Sequence, residues 1–373
     1  MTDEPSDNGN TAQAASTPIN VAFWNLQNLF DLNASAIAAD FEYTPVHGWD
    51  RRALQTRIRN LAEVIRLMFD GDGPDLLGVC EIESARVARI LIDALGRDDY
   101  VLAEAEHPGL AGLDTSLIYS TRVFDSDQTA AAGHVADLRY ATQDVLEVRL
   151  KVRRNQCDLV VLVNHWPSRR CGSPEAEALR MTAASCCRRL VDRTVKMSRK
   201  EYLQLKDSEL SLLELQRRWD RNVLVMGDLN DEPWDRSVRE VLRGVYSLEP
   251  FDETVRLSRG ALPSYKAYDT LAARLFNPMW GLAGMPDSGT TSNAGLAGAA
   301  EPTQLLDQFL LSRGLCLGLS GLQPQLSADG IPEVNVFRPE VMRTRRNRPR
   351  EYRRETRAGY SDHFPITMSL RVL

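Results

Sequence analysis

The sequence predicts an α/β fold in which two mixed β-sheets pack face to face with helices outside. Segments with strand character outnumber helical ones, and several neighbouring strand segments have no helical stretch between them, which argues against a simple doubly wound parallel sheet. No period of 20–50 residues recurs, so a repeat array is set aside. A chain of 373 residues with 43% hydrophobic content suits one large two-sheet domain carrying insertions.

The first 18 residues, "MTDEPSDNGNTAQAASTP", are acidic, small and polar, and read as a disordered tail ahead of a domain over 19–373. They show neither the basic nor the apolar region of a secretory leader, so a cytoplasmic protein is expected. An exported protein whose leader was removed earlier is the alternative. No apolar run approaches the ~20 residues that span a bilayer. Cys80, Cys157, Cys171, Cys186, Cys187 and Cys316 show no CxxC spacing and read as reduced thiols. The net charge of −6 gives no global attraction to nucleic acid.

"INVAFWNL" (19–26) alternates and is rich in β-formers, a strand. From Asp50 onward Leu54, Ile58, Leu61, Ile65 and Met68 recur every three or four residues, an amphipathic helix that "GDGP" ends. "DLLGVCEI" (75–82) is a buried strand and "SARVARILIDAL" a helix. "TSLIYS", "DVLEVRLKV" and "LVVLVNHW" are strands. Residues 174–219 read as one or two long helices, with a helical insertion expected at about 187–219. "NVLVMGDL" is a strand, "SVREVLRGV" a helix, and "QLLDQFLLS" and "FPITMSLRVL" close the sheets. The small, Gly-rich stretch 277–303 reads as a long loop, of the length that is usually a functional lid or disordered.

Polar residues stand at the ends of these apolar strands: Asn25, Glu81, Asn164 and His165, Asp228 and Asn230, Asp307, and Asp362 with His363. A solvated strand end or a turn explains any one of them. A calcium loop counted from Asp228 fails, because its sixth and twelfth places hold Pro233 and Arg239 instead of Gly and Glu. Asp228 and Asn230, two apart at a strand end, point to one side, where they could hold a water and a phosphate oxygen together.

The segments "FWNLQNLF", "DLLGVCEIE", "DTSLIYS", "VNHWPSRR", "GDLNDEP", "LDQFLLS" and "SDHFP" resemble, in order, those of the endonuclease/exonuclease/phosphatase superfamily, whose fold is typified by pancreatic-type deoxyribonuclease. "NHWPSRR" and "NPMW" are most similar to a bacterial branch of uncertain substrate, often grouped with extracellular nucleases. The resemblance implies a four-layer α/β-sandwich, divalent-metal dependence (Mg²⁺ or Mn²⁺) and phosphoester hydrolysis. It implies that Asp228 activates or positions the attacking water, that Asn230 holds the phosphate, and that Asn25, Glu81 and Asp362 surround the metal. His165 and His363 match the two family histidines, with Asp307 as partner of His363. For His165 the best candidate partner is Asp114, which reads equally well as a turn residue before a strand. Glu83 competes with Glu81, which is preferred because it ends the apolar run directly. Gln27 stands where some repair nucleases of the superfamily have Asp, which weakens an abasic-site repair assignment.

Arg169 and Arg170 are candidate phosphate contacts. "RTRRNRPREYRRETR" (343–357), just before "GYSDHF", interleaves arginine and tyrosine as a nucleic-acid surface would; a solvated basic loop is the plainer reading. A nuclease acting on DNA or RNA is therefore expected, with a phosphatase or phosphodiesterase for a small molecule or lipid headgroup as the alternative.

Overall fold

Strand alternation divides the apolar residues of this chain among three cores. The computed structural model describes residues 17–32, 43–104, 114–134, 145–169, 174–205, 211–249, 251, 264–292 and 303–373. Most of the expected N-terminal tail, residues 1–16, lies outside them, as do 293–302 of the long loop. In chain order the strands are β1 (Ile19–Leu29), β2 (Leu76–Ile82), β3 (Tyr100–Leu102), β4 (Asp114–Ser120), β5 (Ala130–His134), β6 (Val145–Lys151), β7 (Asp158–His165), β8 (Asn222–Asp228), β9 (Gly244–Val245), β10 (Leu275–Phe276), β11 (Thr291–Ser292), β12 (Thr303–Gln304), β13 (Asp307–Leu311), β14 (Leu322–Pro324), β15 (Asn335–Val336) and β16 (Ile366–Val372). The main helices are α1 (Arg51–Leu67), α2 (Ala85–Leu95), α3 (Pro174–Val195), α4 (Arg199–Leu205) and α5 (Ser211–Trp219).

The first sheet runs β14–β16–β1–β2–β4–β3, with β15 also on β16; the second runs β5–β6–β7–β8–β13–β10–β9. β1/β2, β7/β8 and β9/β10 are parallel, and the other pairs within the two sheets are antiparallel, so both sheets are mixed. Period-two alternation turns Val21 and Phe23 of β1, and Leu224 and Met226 of β8, into the core between the sheets. Ala22 and Trp24 face outward under α1 and α2, against Leu54, Ile58 and Leu91. Val223 and Val225 face outward under α3–α5, against Ala184, Leu190, Leu215 and Trp219. Helix, sheet, sheet and helix make the expected four-layer sandwich.

Local signals set the boundaries. The Asp50 side chain accepts the Ala53 N–H and starts α1, and the Ser84 side chain does the same for α2 through Val87. Gly96, at φ 70°, ends α2 in a left-handed turn. The expected helix at 237–245 is shorter: a π-helical turn over Ser237–Val241 leads into β9. α3 runs unbroken through 187, and the helices over 174–219 supply the outer layer of the second sheet. From the long loop, β11 pairs β12 at the root. The described cysteines Cys80, Cys157, Cys186, Cys187 and Cys316 are free thiols. Among the described residues no helix is long and apolar enough to cross a membrane.

One glycine is required where β8 meets β7. A Cβ on Gly227 would lie 2.2 Å from the Asn164 carbonyl oxygen. That approach brings the ends of the two strands together, one residue before Asp228. Gly227→Ala is expected to destabilise the fold by about 3 kcal/mol, at the upper end of overpacking costs, because the clash is with backbone. Urea unfolding of the variant checks it; an unchanged midpoint would mean that the strands can separate at no cost.

Candidate active site

Register brings the polar strand ends together. Across the second sheet His165 pairs with Asp228 and Asp228 with Asp307, so β7, β8 and β13 present three functional side chains in one row. In the first sheet Asn25 pairs with Cys80, the neighbour of Glu81. The Asn25 carboxamide Nδ2 donates at 3.0 Å to Glu81 Oε1 and at 3.0 Å to Asp228 Oδ2, joining the two sheets at their ends. Its Oδ1 accepts the Gln27 N–H at 2.9 Å. Asn25 acts here as a donor that orients two carboxylates, while its oxygen, expected beside the metal, accepts the Gln27 N–H. Of the two competing glutamates, Glu81 faces Asp228, whereas Glu83 Oε2 accepts the Asp31 N–H at 2.5 Å.

Backbone strain is concentrated at these residues. Regular β1/β2 pairing stops at Asn25↔Cys80 and resumes at Leu29↔Ile82, so Leu26, Gln27 and Asn28 stand against Glu81 alone. Gln27, Asn28, Glu81 and Asn230 all have φ between 48° and 58°. A non-glycine residue in this region costs about 1–2 kcal/mol, and Glu81 lacks the short side chain that makes Asn tolerable there. Two observed contacts hold the strained residues. The Asn28 N–H donates to Glu81 Oε2 at 2.8 Å, and the Asn230 N–H donates to Asp228 Oδ1 at 2.9 Å.

His363 Nδ1 lies 2.7 Å from Asp307 Oδ2, and both residues are buried. This contact turns Nε2 toward Asp228 Oδ2, at 3.8 Å. Burial alone would push the imidazole pKa down; the carboxylates of Asp307 and Asp228 outweigh it and hold the pKa well above the ordinary histidine value. His165 Nε2 approaches Glu81 Oε1 at 3.8 Å and Asp228 Oδ2 at 4.0 Å. Its Nδ1 is buried and finds no hydrogen-bond partner among the described residues. The Asp114 side chain lies outside them, although its backbone pairs with Ile82. Ser361 is a site residue that sequence reasoning does not find. It donates to the Asn25 carbonyl at 2.7 Å and accepts the His363 N–H at 3.1 Å. Its one signal is its place directly before "DHF".

The loop after β8 is closed by Arg169. Its Nε donates to the Asn230 carbonyl at 2.7 Å, and Nη2 reaches Asp231 Oδ1 at 3.1 Å and also Asp235. Arg169, expected as a phosphate contact, lines the cavity with its guanidinium on neighbouring carboxylates, where it shapes the loop. Arg170 lies outside the described residues. Asn230 Nδ2 donates to the Trp166 carbonyl at 2.9 Å.

These groups border one cavity of 1220 Å³, lined on the catalytic side by Glu81, His165, Asp228, Asn230, Asp362 and His363. Thr291 and Gln304, at the root of the long loop, line it as well. Its far wall is the arginine-rich segment, including Arg345, Arg346, Arg348, Arg350 and Arg353. Two groupings could be considered for a cation. Asp228, Asp307 and His363 offer atoms within 4.8 Å of one another. There, however, Asp307 and His363 are bonded to each other, and the protonated imidazole repels a cation. Glu81, with Asp362 bordering the same cavity, forms the better hard-oxygen set, and Asp228 faces it across the Asn25 NH₂ group. A neutral carboxamide offsets little of the repulsion between the Glu81 and Asp228 carboxylates.

Because the folded pKa of His363 lies above the unfolded value of about 6.5, its ion pair contributes fully to stability below that pH. The contribution fades as pH rises through the raised folded pKa. Asp307→Asn is expected to move the His363 titration midpoint down, read by NMR of the imidazole carbons. An unmoved midpoint would exclude the carboxylate as the cause.

The sequence matches the family described as "Endonuclease/Exonuclease/phosphatase family" over residues 20–372. No curated protein matches the chain. An endonuclease/exonuclease/phosphatase family protein from Bacteroides thetaiotaomicron superposes with a TM-score of 0.50 at 14% identity, covering 96% of this chain and 98% of that one. A mannosyl-6-phosphatase from B. thetaiotaomicron VPI-5482 gives a TM-score of 0.50 at 14% identity over 94% and 99%. D. rerio TDP2, complexed with a single-strand DNA product, gives 0.49 at 13% identity over 96% and 100%. At such identities the structural likeness concerns the fold, while the family match spans nearly the whole sequence. The chain belongs to the endonuclease/exonuclease/phosphatase family of phosphoester hydrolases.

Proposed function

We propose that the protein is a divalent-metal-dependent nuclease that hydrolyses phosphodiester bonds of DNA or RNA. The observation that carries this reading is the arginine wall in the same cavity as the catalytic side chains. Arg345 and Arg346 are exposed, and neither has a hydrogen bond or ion pair among the described residues. A cavity of 1220 Å³ also exceeds the ~300–1,000 Å³ that holds drug-sized ligands. Two unpaired guanidinium groups away from the reacting centre suit a chain of phosphates.

Asp228 is the base in this reading. Its Oδ2 lies 3.8 Å from His363 Nε2 and 4.0 Å from His165 Nε2. Gaps of that width admit one oxygen atom hydrogen-bonded to both sides at about 2.8 Å. Asp228 takes the proton of the attacking water. His363, kept protonated by Asp307, donates from Nε2 to the phosphoryl oxygens as charge develops. Asn230 holds the phosphate, and Glu81 and Asp362 hold the cation. Mg²⁺ or Mn²⁺ bound there would offset the phosphate charge that otherwise repels an anionic nucleophile.

With plasmid, single-stranded DNA, RNA, inositol phosphates and sphingomyelin as substrates, hydrolysis of a nucleic acid is expected in Mg²⁺ or Mn²⁺ and none in EDTA. Asp228→Asn should lower kcat about 10²–10⁴-fold, the usual contribution of a general base, with the fold intact. EDTA-resistant cleavage, or a near-normal rate in the variant, would overturn the mechanism.

Replacing Arg345 and Arg346 together by Gln should weaken nucleic-acid binding. The slope of log K against log salt should flatten by about 0.7–0.9 for each phosphate that is no longer neutralised, while turnover of a short model phosphodiester stays unchanged. An unchanged salt slope in the folded variant would move the small-phosphoester reading to first place.

A further inference from the structure

Arg57 occupies the apolar face of α1, beside Leu54 and Ile58, and is fully buried. Its Nη2 donates to the carbonyl oxygen of Leu26 and, at 3.1 Å, to that of Gln27. These oxygens belong to two successive peptide units of the β1 bulge. The N–H of the first unit, on Gln27, donates to Asn25 Oδ1 at 2.9 Å. The N–H of the second, on Asn28, donates to Glu81 Oε2 at 2.8 Å. A peptide unit is planar, so fixing its oxygen fixes the direction of its N–H. Arg57 thus holds one end of each unit while the other end holds an active-site side chain.

The same bulge is tied to the arginine wall. The Tyr352 N–H donates to Gln27 Oε1 at 2.7 Å, and Gln27 Nε2 donates to the Tyr352 carbonyl at 3.4 Å. The Tyr352 ring covers the Arg57 guanidinium at 4.6 Å from its centroid. Nε and Nη1 of Arg57 have no hydrogen-bond partner among the described residues. Burial pushes its pKa down to about 10, against the raising fields of the Asp362 and Glu81 carboxylates, so it stays charged at neutral pH. A buried guanidinium with no bonded carboxylate is unfavourable, and an aliphatic residue would pack this helix face better. The two bulge carbonyls that it binds give it a role other than packing.

We propose that Arg57 and Gln27 are positioning residues, which aim the Glu81 carboxylate at the cation through the β1 bulge and couple that aim to the arginine wall through Tyr352. The proposal rests on the reading of Glu81 as a cation ligand.

The test measures Mn²⁺ binding to the full chain by calorimetry without substrate, together with kcat and KM on single-stranded DNA. Arg57→Met and Gln27→Ala should each weaken Mn²⁺ binding, with Arg57→Met in the 10–100-fold range typical of groups that orient metal ligands. kcat should fall by a larger factor than KM for DNA rises, since Arg345 and Arg346 themselves are untouched, and Arg57→Lys should restore part of the loss. Folded variants that bind Mn²⁺ like the wild type would overturn the proposal alone. If Arg57→Met does not fold, the half-buried Gln27 still decides, because an unchanged affinity in Gln27→Ala overturns the coupling. A wild-type protein that binds no Mn²⁺ would overturn the cation reading and this proposal with it.

Discussion

Each sheet has a parallel pair near its centre, and a parallel pair forms only when the chain is carried back over the sheet by a crossover. α1 is the crossover between β1 and β2; α3–α5 form the one between β7 and β8. The strands of each pair therefore finish at the same end, and the Asn25–Asp228 hydrogen bond shows that the two pairs share that end, where the polar residues that follow their apolar runs converge. The antiparallel neighbour β13 enters at that end, which sets Asp307 beside Asp228. The location of the site follows from this connectivity.

Converging strand ends place carboxylates in a dry environment, and each needs an assigned partner. Asp228 uses Oδ1 on the Asn230 N–H and Oδ2 on Asn25. Asp307 is paired with His363. Asp231 takes Arg169 and Ser237, and its carbonyl accepts from Gln308. Among the buried polar groups near the site with partners missing among the described residues are His165 Nδ1, Asp307 Oδ1, the Tyr352 hydroxyl and two nitrogens of Arg57. They coincide with the residues given chemical or positioning roles.

The arginine-rich segment is two populations in one run of sequence. Arg357 pairs with Asp50 at 2.7 Å, Arg354 lies over the Tyr43 ring, and Arg353 pairs with Glu351. With Asn60 donating to the Gly359 carbonyl at 2.9 Å, the Arg357 and Arg354 contacts moor the segment to α1 and its surroundings, while the Arg353 pair stays within the segment. Arg345 and Arg346 stand beyond the moorings, exposed at the cavity wall. A surface ion pair adds little stability by itself, so the value of the mooring lies in holding the free guanidinium groups in place.

Patterns along the chain are enough to define its elements. Alternation in "INVAFWNL" and "NVLVMGD", the caps at Asp50 and Ser84, and polar residues at strand ends are local, and local sterics and hydrogen bonding make them readable. The cluster of Asn25, Glu81, His165, Asp228, Asn230, Asp307 and His363 is legible because its residues follow apolar runs in a familiar order. Which atoms each residue uses is settled only on folding. Arg169 reads as free next to "NHWPS" but faces the carboxylates of residues 231–235. Arg57 is an arginine among the apolar residues of α1, and its spacing from Leu54 and Leu61 puts it on the buried face. Asn25 becomes a donor because the N–H of Gln27 takes its oxygen, and two carboxylates, 56 and 203 residues away in sequence, face its nitrogen. Hydrogen-bond roles are fixed by partners that folding alone brings within about 3 Å, and no pattern along the chain encodes them.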